Sequence, residues 1–416
     1  MILTNEQELA LKYITNDENI LLTGPAGTGK TALIKYFVKM QGMYRTIATT
    51  STTGTSAILI GGTTLHSYLG ILLGTGTVEN LYDRISASKL YTNRWTKLET
   101  LIIDEVSMLH PQLLDKLEEL ARKLRRNEHA FGGIQLVLSG DFLQLPCIGT
   151  DKFCFQSKSW EKCKFKIVNF KEIVRQSDPN FQKCLNFIRM GEINDFVKSI
   201  LEPRVGLTLT NQYGIKPTKL YSKNVDVDKI NDEELDKLAQ DSRVFLKYEI
   251  KVVKYKFDAD PEKIKKNCLA PYVLELCVGA QVMLLVNLDL ANGLANGSRG
   301  VIREFINECP VVTFLNGQVR IIKQHNWEIE DNGVKIFDIY QIPLKVAYAI
   351  SIHKSQGSSL DYAEVEIKNI FEYGQGYVAL SRVKSLEGLS IISIDYNKIL
   401  SHPKAIEFYK NIKNDE

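Results

Sequence analysis

The stretch Ile20-Leu21-Leu22-Thr23-Gly24-Pro25-Ala26-Gly27-Thr28-Gly29-Lys30-Thr31 decides the fold. A short apolar strand, Ile20 to Leu22, runs into a loop that fits G-x-x-x-x-G-K-T in full, and a helical stretch follows from Ala32 to about Met40. Strand, glycine loop and helix in that order are the context a phosphate loop requires. Such a loop wraps its backbone N–H groups around nucleotide phosphates; Lys30 would reach the β and γ phosphates and Thr31 would offer its hydroxyl to magnesium. The candidate ATP-binding residues are therefore Gly24, Pro25, Ala26, Gly27, Thr28, Gly29, Lys30 and Thr31.

Working outward, Thr4 and Gln7 form a capping-box pattern that opens an amphipathic helix ending near Asn16. Downstream, Leu101 to Ile103 and Ile134 to Leu138 read as apolar strands, with a helix from Leu113 to Arg126 between them. Strands alternating with helices predict an α/β fold with a parallel sheet covered on both faces. Asp104 and Glu105 follow the first of these strands, which places them where ligands gather in open α/β sheets. Asp104 would hold magnesium, which needs only one or two protein carboxylates, and Glu105 would orient and deprotonate the attacking water. Gly140 to Pro146 closes the next strand, and Gln144 within it could hydrogen-bond the γ-phosphate or the lytic water.

From about Arg243 to Ile342 the texture changes to short alternating segments. Val311 to Leu315 and Val319 to Ile322 flank Asn316-Gly317, and Asn332-Gly333 separates Ile329 to Asp331 from Val334 to Phe337. Asn-Gly between such runs is a hairpin signal. A small β-rich domain inserted into a second α/β domain, which resumes with a strand from Val346 to Ile352, accounts for this order.

Composition bounds the rest. A chain of 416 residues, 44% apolar and 24% charged, can bury a sizeable core over two or three domains. Its net charge of +3 is too small to argue for or against a polyanion partner. Nothing approaches the roughly 20 apolar residues that span a bilayer, and the N-terminus does not resemble a secretory signal. Seven cysteines without a C-x-x-C pair suit a reducing, intracellular setting.

Phosphoryl transfer needs cations on the leaving and transferring oxygens. Arg175 and Arg382 are the candidates, and Arg382, so far downstream of the loop, is expected to act across a domain cleft. With Gly24 to Thr31, Leu101 to Leu109, Phe131 to Pro146, Gly279 to Met283, Asn296 to Gly300, Ser351 to Gly357 and Tyr377 to Leu389 in this order, the chain resembles the petite integration frequency (PIF) helicases of superfamily one, subgroup B. The resemblance covers nearly the whole chain, and Asp115 to Pro146 resembles the family's own signature.

The resemblance implies two RecA-like domains, ATP and Mg2+ as cofactors, and 5′ to 3′ unwinding of DNA by a monomer loaded on a single strand of forked or structured DNA. The implied domains are 1–175, 176–242 with 343–416, and an inserted barrel over 243–342. Gly61 to Gly76 matches a short wedge region, about 61–82. Gln7 would read the adenine edge, Arg175 and Arg382 would meet the γ-phosphate, and Gln356 and Gly357 fall in a nucleotide-coupling motif. Thr50, Ser51, Thr52, Thr53, His66, Ser351, His353 and Lys354 fall where the family contacts DNA. No long extension flanks these motifs, as in a minimal motor core. Two other readings share the ATP site: a translocase or RNA helicase that leaves DNA duplexes intact, and a nucleotide-gated switch that is not a motor.

Overall fold

The computed structural model describes residues 3–209, 215–241, 244–255, 270–286, 288–289, 292, 294, 297–331 and 334–412. The chain divides into two compact units. One comprises Met1–Pro203, Ile367–Leu386 and Asp395–Glu416; the other comprises Arg204–Glu366 and Glu387–Ile394.

The first unit is built on six strands: β1 (Ile20–Thr23), β2 (Ile47–Ser51), β3 (Thr63–Thr64), β4 (Thr100–Asp104), β5 (Gln135–Ser139) and β6 (Lys166–Asn169). They lie in the order β3-β2-β4-β5-β1-β6, and every pairing is parallel. The two-residue repeat of a strand divides their side chains between two cores. Ile20, Leu22, Ile102 and Val137 pack with the N-terminal helix and the helix Lys30–Gln41. Leu21, Leu101, Ile103, Leu136 and Leu138 pack on the other face with the helix Pro111–Arg125. A sheet buried on both sides explains why β1, β4 and β5 read as unbroken apolar runs.

Local chemistry sets the boundaries. The capping box at Thr4 and Gln7 is formed, and the first helix spans Asn5–Thr15. In the Asp115–Pro146 signature, Arg125 donates to four carbonyls: Trp95 at 2.8 Å, Thr96 at 3.0 Å, Leu98 at 2.8 Å and Gly132 at 2.7 Å. The indole of fully buried Trp95 in turn donates to Leu69 O at 3.0 Å. Together these bonds fasten the short helices Leu65–Leu69 and Lys89–Lys97 to the sheet.

The second unit holds a parallel sheet of Thr218–Tyr221, Ala349–Ser351, Ala363–Glu366 and Leu389–Ser393. Between the first two of these lie the helix Asn224–Asp241 and, from Phe245 onward, antiparallel strands. Cys309–Phe314 pairs with Val319–Ile321 around Asn316-Gly317, where Gly317 takes φ 82°. His325–Asp331 pairs with Val334–Gln341, while Asn332-Gly333 lies outside the described residues. The expected single strand from Val346 to Ile352 is instead two. Leu344–Val346 pairs antiparallel with Gln281–Leu284, and Ala349–Ser351 joins the parallel sheet, so one apolar run serves two sheets.

Gln135 is the polar joint between the first helix and the sheet. Its amide donates to Ile14 O and Glu18 O, both at 2.8 Å, and its carbonyl accepts from Thr100 Oγ1 at 3.0 Å. Gln135→Leu takes the side-chain donor from Glu18 O and Ile14 O, leaving Ile14 O the 3.3 Å bond from Asp17 N, and takes the acceptor from Thr100 Oγ1; it is expected to cost about 2 kcal/mol or more. The check is the urea midpoint of the first unit's unfolding transition; a loss under about 0.5 kcal/mol would show that those carbonyls find other donors.

Candidate nucleotide site

Three neighbouring strands, β4, β5 and β1, end side by side. Leu21 pairs with Leu138, Leu22 with Ser139, and Ile103 with Leu138, so Asp104, Gly140-Asp141 and Gly24 leave the sheet at nearly one level. The phosphate loop, the acidic pair and the Gln144 loop therefore share the carboxyl edge of one sheet, the usual ligand edge of this architecture.

Within the loop, Lys30 Nζ donates to Gly24 O at 2.7 Å and Pro25 O at 2.8 Å. Burial pushes its pKa down to about 8 despite Asp141, Glu105 and Asp104 nearby. Gly27 admits no side chain, because a Cβ there would lie 2.4 Å from Arg175 Cβ. Thr31 follows Lys30 in the first turn of the helix Lys30–Gln41. Gln7 is buried and does two things at once. Its Oε1 accepts from Thr4 N at 3.2 Å as part of the cap, and its Nε2 sits 2.7 Å from where a Gly29 Cβ would be.

Asp104 is buried, and desolvation raises its pKa; Ser139 Oγ donates to its Oδ1 at 2.7 Å. Glu105 is also buried and takes a left-handed backbone, φ 55° and ψ 47°. For a non-glycine residue this conformation costs on the order of 1 kcal/mol or more and persists only where neighbours enforce it. Here Thr52 Oγ1 at 2.9 Å and Met108 N at 3.1 Å both donate to Glu105 O. Gln144 is buried with its Oε1 unpartnered, and its N–H donates to Asp141 O at 3.0 Å.

Both candidate arginines lie in the first unit. Arg382 is 1% exposed, donating to Val378 O at 2.9 Å and Ser381 Oγ at 2.8 Å. Arg175 donates to Ser381 O at 3.1 Å, and the neighbouring Gln176 holds Ser381 O and Val383 O. Burial, then the like charge of Arg382, pushes Arg175 down to about 9; burial likewise lowers Arg382, opposed by Glu105. Lys30, Arg175 and Arg382 thus stand desolvated against the carboxylates Asp104 and Glu105, an arrangement that favours an incoming polyanion. The buried carboxylate of Asp104, the depressed cations and the orphaned Gln144 Oε1 all fit a magnesium-bound nucleotide.

Four residues of the cluster carried no assigned role in the sequence reading: Asp141, Arg189, Tyr377 and Tyr409. Arg189 grips Asp141 with two bonds of 2.8 Å. Although burial opposes it, that pairing holds Asp141 below the usual carboxylate range. Tyr377 accepts from Ala26 N at 2.9 Å, tying the 377–389 motif to the phosphate loop; burial and Asp141 push its pKa up to about 12. A Gly-Asp pair closing an apolar strand was the only available signal for Asp141. Arg189 and Tyr409 occupy helices whose apolar spacing hides them.

The DNA-contact candidates separate. Thr50 and Ser51 are fully buried, and their hydroxyls are spent on Ile102 O at 2.6 Å and Asp104 O at 3.2 Å. These two side chains brace the strand that carries the acidic pair, which leaves the backbone of Thr50 and Ser51 as their part of the expected DNA-contact segment. Thr52, Thr53 and His66 are partly exposed in the first unit. In the second unit Ser351 is buried and accepts from Lys354 N at 3.4 Å, so its side chain too is inward. His353 is partly exposed and Lys354 exposed, whereas Gln356 is buried and Gly357 takes φ 79°.

Comparison with known proteins agrees with this arrangement. The PIF1-like helicase family model matches residues 2–213, and that of the DNA helicase Pif1 2B domain matches residues 261–305. The ATP-dependent DNA helicase PIF1 of Xenopus laevis is 40% identical, an alignment covering 99% of this chain and 65% of the frog protein. The crystal structure of Pif1 helicase from Candida albicans has TM-score 0.86 and 37% identity, covering 99% of this chain and 100% of that one. That of Pif1 helicase from Bacteroides in complex with ADP-AlF3 and ssDNA has TM-score 0.72 and 30% identity over 99% and 97%. With its acidic pair, phosphate loop and glutamine loop on one sheet edge, and with these likenesses over its whole length, the chain belongs to the PIF1-like helicase family.

Proposed function

We propose that the protein is an ATP-driven helicase that moves on single-stranded DNA, 5′ to 3′, and separates duplex, forked or structured DNA. The observation that carries this reading is the gathering of Lys30, Asp104, Glu105, Gln144, Arg175 and Arg382 at one end of the β4-β5-β1 edge and its neighbouring segments. The relatives named for ATP-dependent DNA unwinding, and the Bacteroides structure titled for ADP-AlF3 and ssDNA, support it.

In this reading Lys30 leaves the carbonyls of Gly24 and Pro25 to meet the β and γ phosphates, and Gln7 Nε2 is free to read the adenine edge while Oε1 keeps the cap. Thr31 and Asp104 hold Mg2+, which neutralises phosphate charge when bound. Glu105 is the base, Gln144 holds the water or the γ-phosphate, and Arg175 and Arg382 stabilise charge on the transferring group. The segment Thr50, Ser51, Thr52 and Thr53, with His66, Ser351, His353 and Lys354, forms the DNA contact, the partly or fully exposed side chains of Thr52, Thr53, His66, His353 and Lys354 facing it, and Gln356 and Gly357 couple the two ligands. The domain reading stays as 1–175, then 176–242 with 343–416, with a barrel inserted over 243–342; the 2B-domain match inside the insertion supports it. Among the described residues no helix is long and apolar enough to cross a membrane. The six described cysteines are free thiols, which supports a reducing, intracellular site.

Lys30 makes nucleotide affinity pH-dependent. Its ammonium, with pKa about 8, is the form phosphates prefer, so binding is fully supported only well below pH 8 and weakens as pH rises through it. From pH 7 to 8.5 the dissociation constant of a fluorescent ATP analogue is expected to rise about fourfold. Lys30→Ala is expected to bind weakly and show no such rise; an equal rise in both proteins would assign the titration elsewhere.

Removing chemistry without removing the pocket tests the roles. Glu105→Gln is expected to bind and trap ATP with little turnover. Arg382→Ala and Arg175→Ala are expected to lose at least about 10²-fold in hydrolysis with a smaller loss in nucleotide affinity. Near wild-type turnover in Glu105→Gln, in the presence of DNA, would remove it as the base.

The motor reading is tested by unwinding matched partial duplexes with a 5′ or a 3′ single-stranded tail. Only the 5′-tailed duplex is expected to open efficiently, and single-stranded DNA is expected to stimulate hydrolysis. The DNA concentration for half-stimulation should rise with salt through counterion release. A His353→Ala, Lys354→Ala double variant is expected to keep basal hydrolysis and lose stimulation and unwinding together. Hydrolysis indifferent to DNA would favour the switch.

A further inference from the structure

We propose that Tyr409, on the helix Pro403–Asn411, is a positioning residue for ATP hydrolysis, a strut that sets the Gln144 loop against the root of the phosphate loop; this rests on the nucleotide-site reading above. Its hydroxyl bonds Thr23 Oγ1 at 2.5 Å, donates to Asp141 Oδ1 at 3.0 Å and accepts from Phe142 N at 3.2 Å. Thr23 is the residue before Gly24, and Asp141 and Phe142 open the loop that carries Gln144. One hydroxyl therefore joins the ends of β1 and β5 at the points from which both loops depart.

The strut is anchored on every side. Arg189 forks onto Asp141 and lies 4.5 Å over the Tyr409 ring. Asp141 in turn orients the loop, accepting from Leu143 N at 3.1 Å through its Oδ1 and from Gln144 N at 3.0 Å through its backbone carbonyl. The helix is seated by Phe408, stacked on Phe155 at 4.4 Å and edge-on to Phe142 at 5.2 Å. A second contact presses on the same loop: Gly374 leaves room for Gln144 O, which a Cβ would meet at 2.4 Å. Gln144, with its Oε1 unpartnered, is thus held from below by Tyr409 and Asp141. Chemistry that depends on a held water or phosphate oxygen is sensitive to shifts of a fraction of an ångström.

Tyr409→Phe keeps the ring, its cation contact and the helix seat, and removes only the hydroxyl. It is expected to lower DNA-stimulated turnover about tenfold while the affinity for an ATP analogue stays within about threefold. Thr23→Val cuts the other end of the strut and should give the same split, so either variant serves if the other does not fold. Ile406→Ala, on the same helix and packed in the apolar core, is the control for lost stability: its Tm should fall with turnover per folded molecule unchanged.

If Tyr409 acts through Gln144, then Tyr409→Phe added to Gln144→Ala costs little more than Gln144→Ala alone. Fully multiplicative losses in the double variant would overturn the proposal. So would a Tyr409→Phe turnover equal to that of Ile406→Ala at matched Tm, or equal losses of affinity and turnover. Wild-type protein that does not hydrolyse ATP would instead sink the nucleotide reading; wild-type hydrolysis with an unaffected Tyr409→Phe would sink this inference alone.

Discussion

The parallel register of β4, β5 and β1 is the constraint on which the rest depends. Because the three strands are neighbours and end together, residues far apart in sequence, from Gly24 to Asp141, come to one edge without a long loop. That edge then gathers more positive charge than it can neutralise internally. Arg189 is matched by Asp141, but Lys30, Arg175 and Arg382 are desolvated and outnumber Asp104 and Glu105. Each depressed cation represents free energy that a bound anion can recover, since phosphate oxygens favour the charged form that burial opposes. The site is therefore organised by folding, and its chemistry is directed at a polyanion.

What could be read in the sequence follows from how local each signal was. The phosphate loop was legible because all its parts lie within a dozen residues, and β1, β4 and β5 because burial on both faces demands continuous apolar runs. β2 and β6 were not legible. Ile47–Ser51 is rich in threonine and Lys166–Asn169 opens on lysine, so neither carries the apolar run that marked the others. The hairpin around Asn316-Gly317 was legible from turn chemistry alone. The split between Leu344–Val346 and Ala349–Ser351 was not, because an apolar run does not state which sheet buries it.

The residues that escaped were those whose meaning is entirely tertiary. Arg189 sits in an amphipathic helix, and Tyr409 lies near the C-terminus beside Phe408; nothing in their neighbours distinguishes them from ordinary packing. Their partner Asp141 is 48 residues from one and 268 from the other. Arg382 was recognised from its motif, and Ile367–Leu386 clusters in the same compact unit as the phosphate loop. Gln176 and Arg175 hold the backbone of Ser381 and Val383, and Arg382 itself donates to two neutral acceptors, Val378 O and Ser381 Oγ. A guanidinium held in that way keeps its charge uncommitted, which is what stabilising a transferring phosphoryl group asks of it.

The threonine-rich end of β2 shows why burial had to be seen before a role could be assigned. Thr50, Ser51 and Thr52 each donate a hydroxyl to a carbonyl at the neighbouring strand's end, at Ile102, Asp104 and Glu105 in turn. The first two hydroxyls are sealed from solvent and can only brace. Thr52 differs because it is partly exposed while its hydroxyl holds the carbonyl of the one residue in the site with a strained backbone. A left-handed glutamate is stable only as long as its neighbours enforce it, at a cost of order 1–3 kcal/mol. A single hydrogen bond contributes about as much. The two magnitudes are comparable, so a ligand that displaces Thr52 by contact at its exposed side acts directly on the backbone geometry of Glu105. The proposed DNA-facing segment and the proposed base are thus separated by one hydrogen bond, the shortest physical route by which the two ligands could affect each other within the first unit.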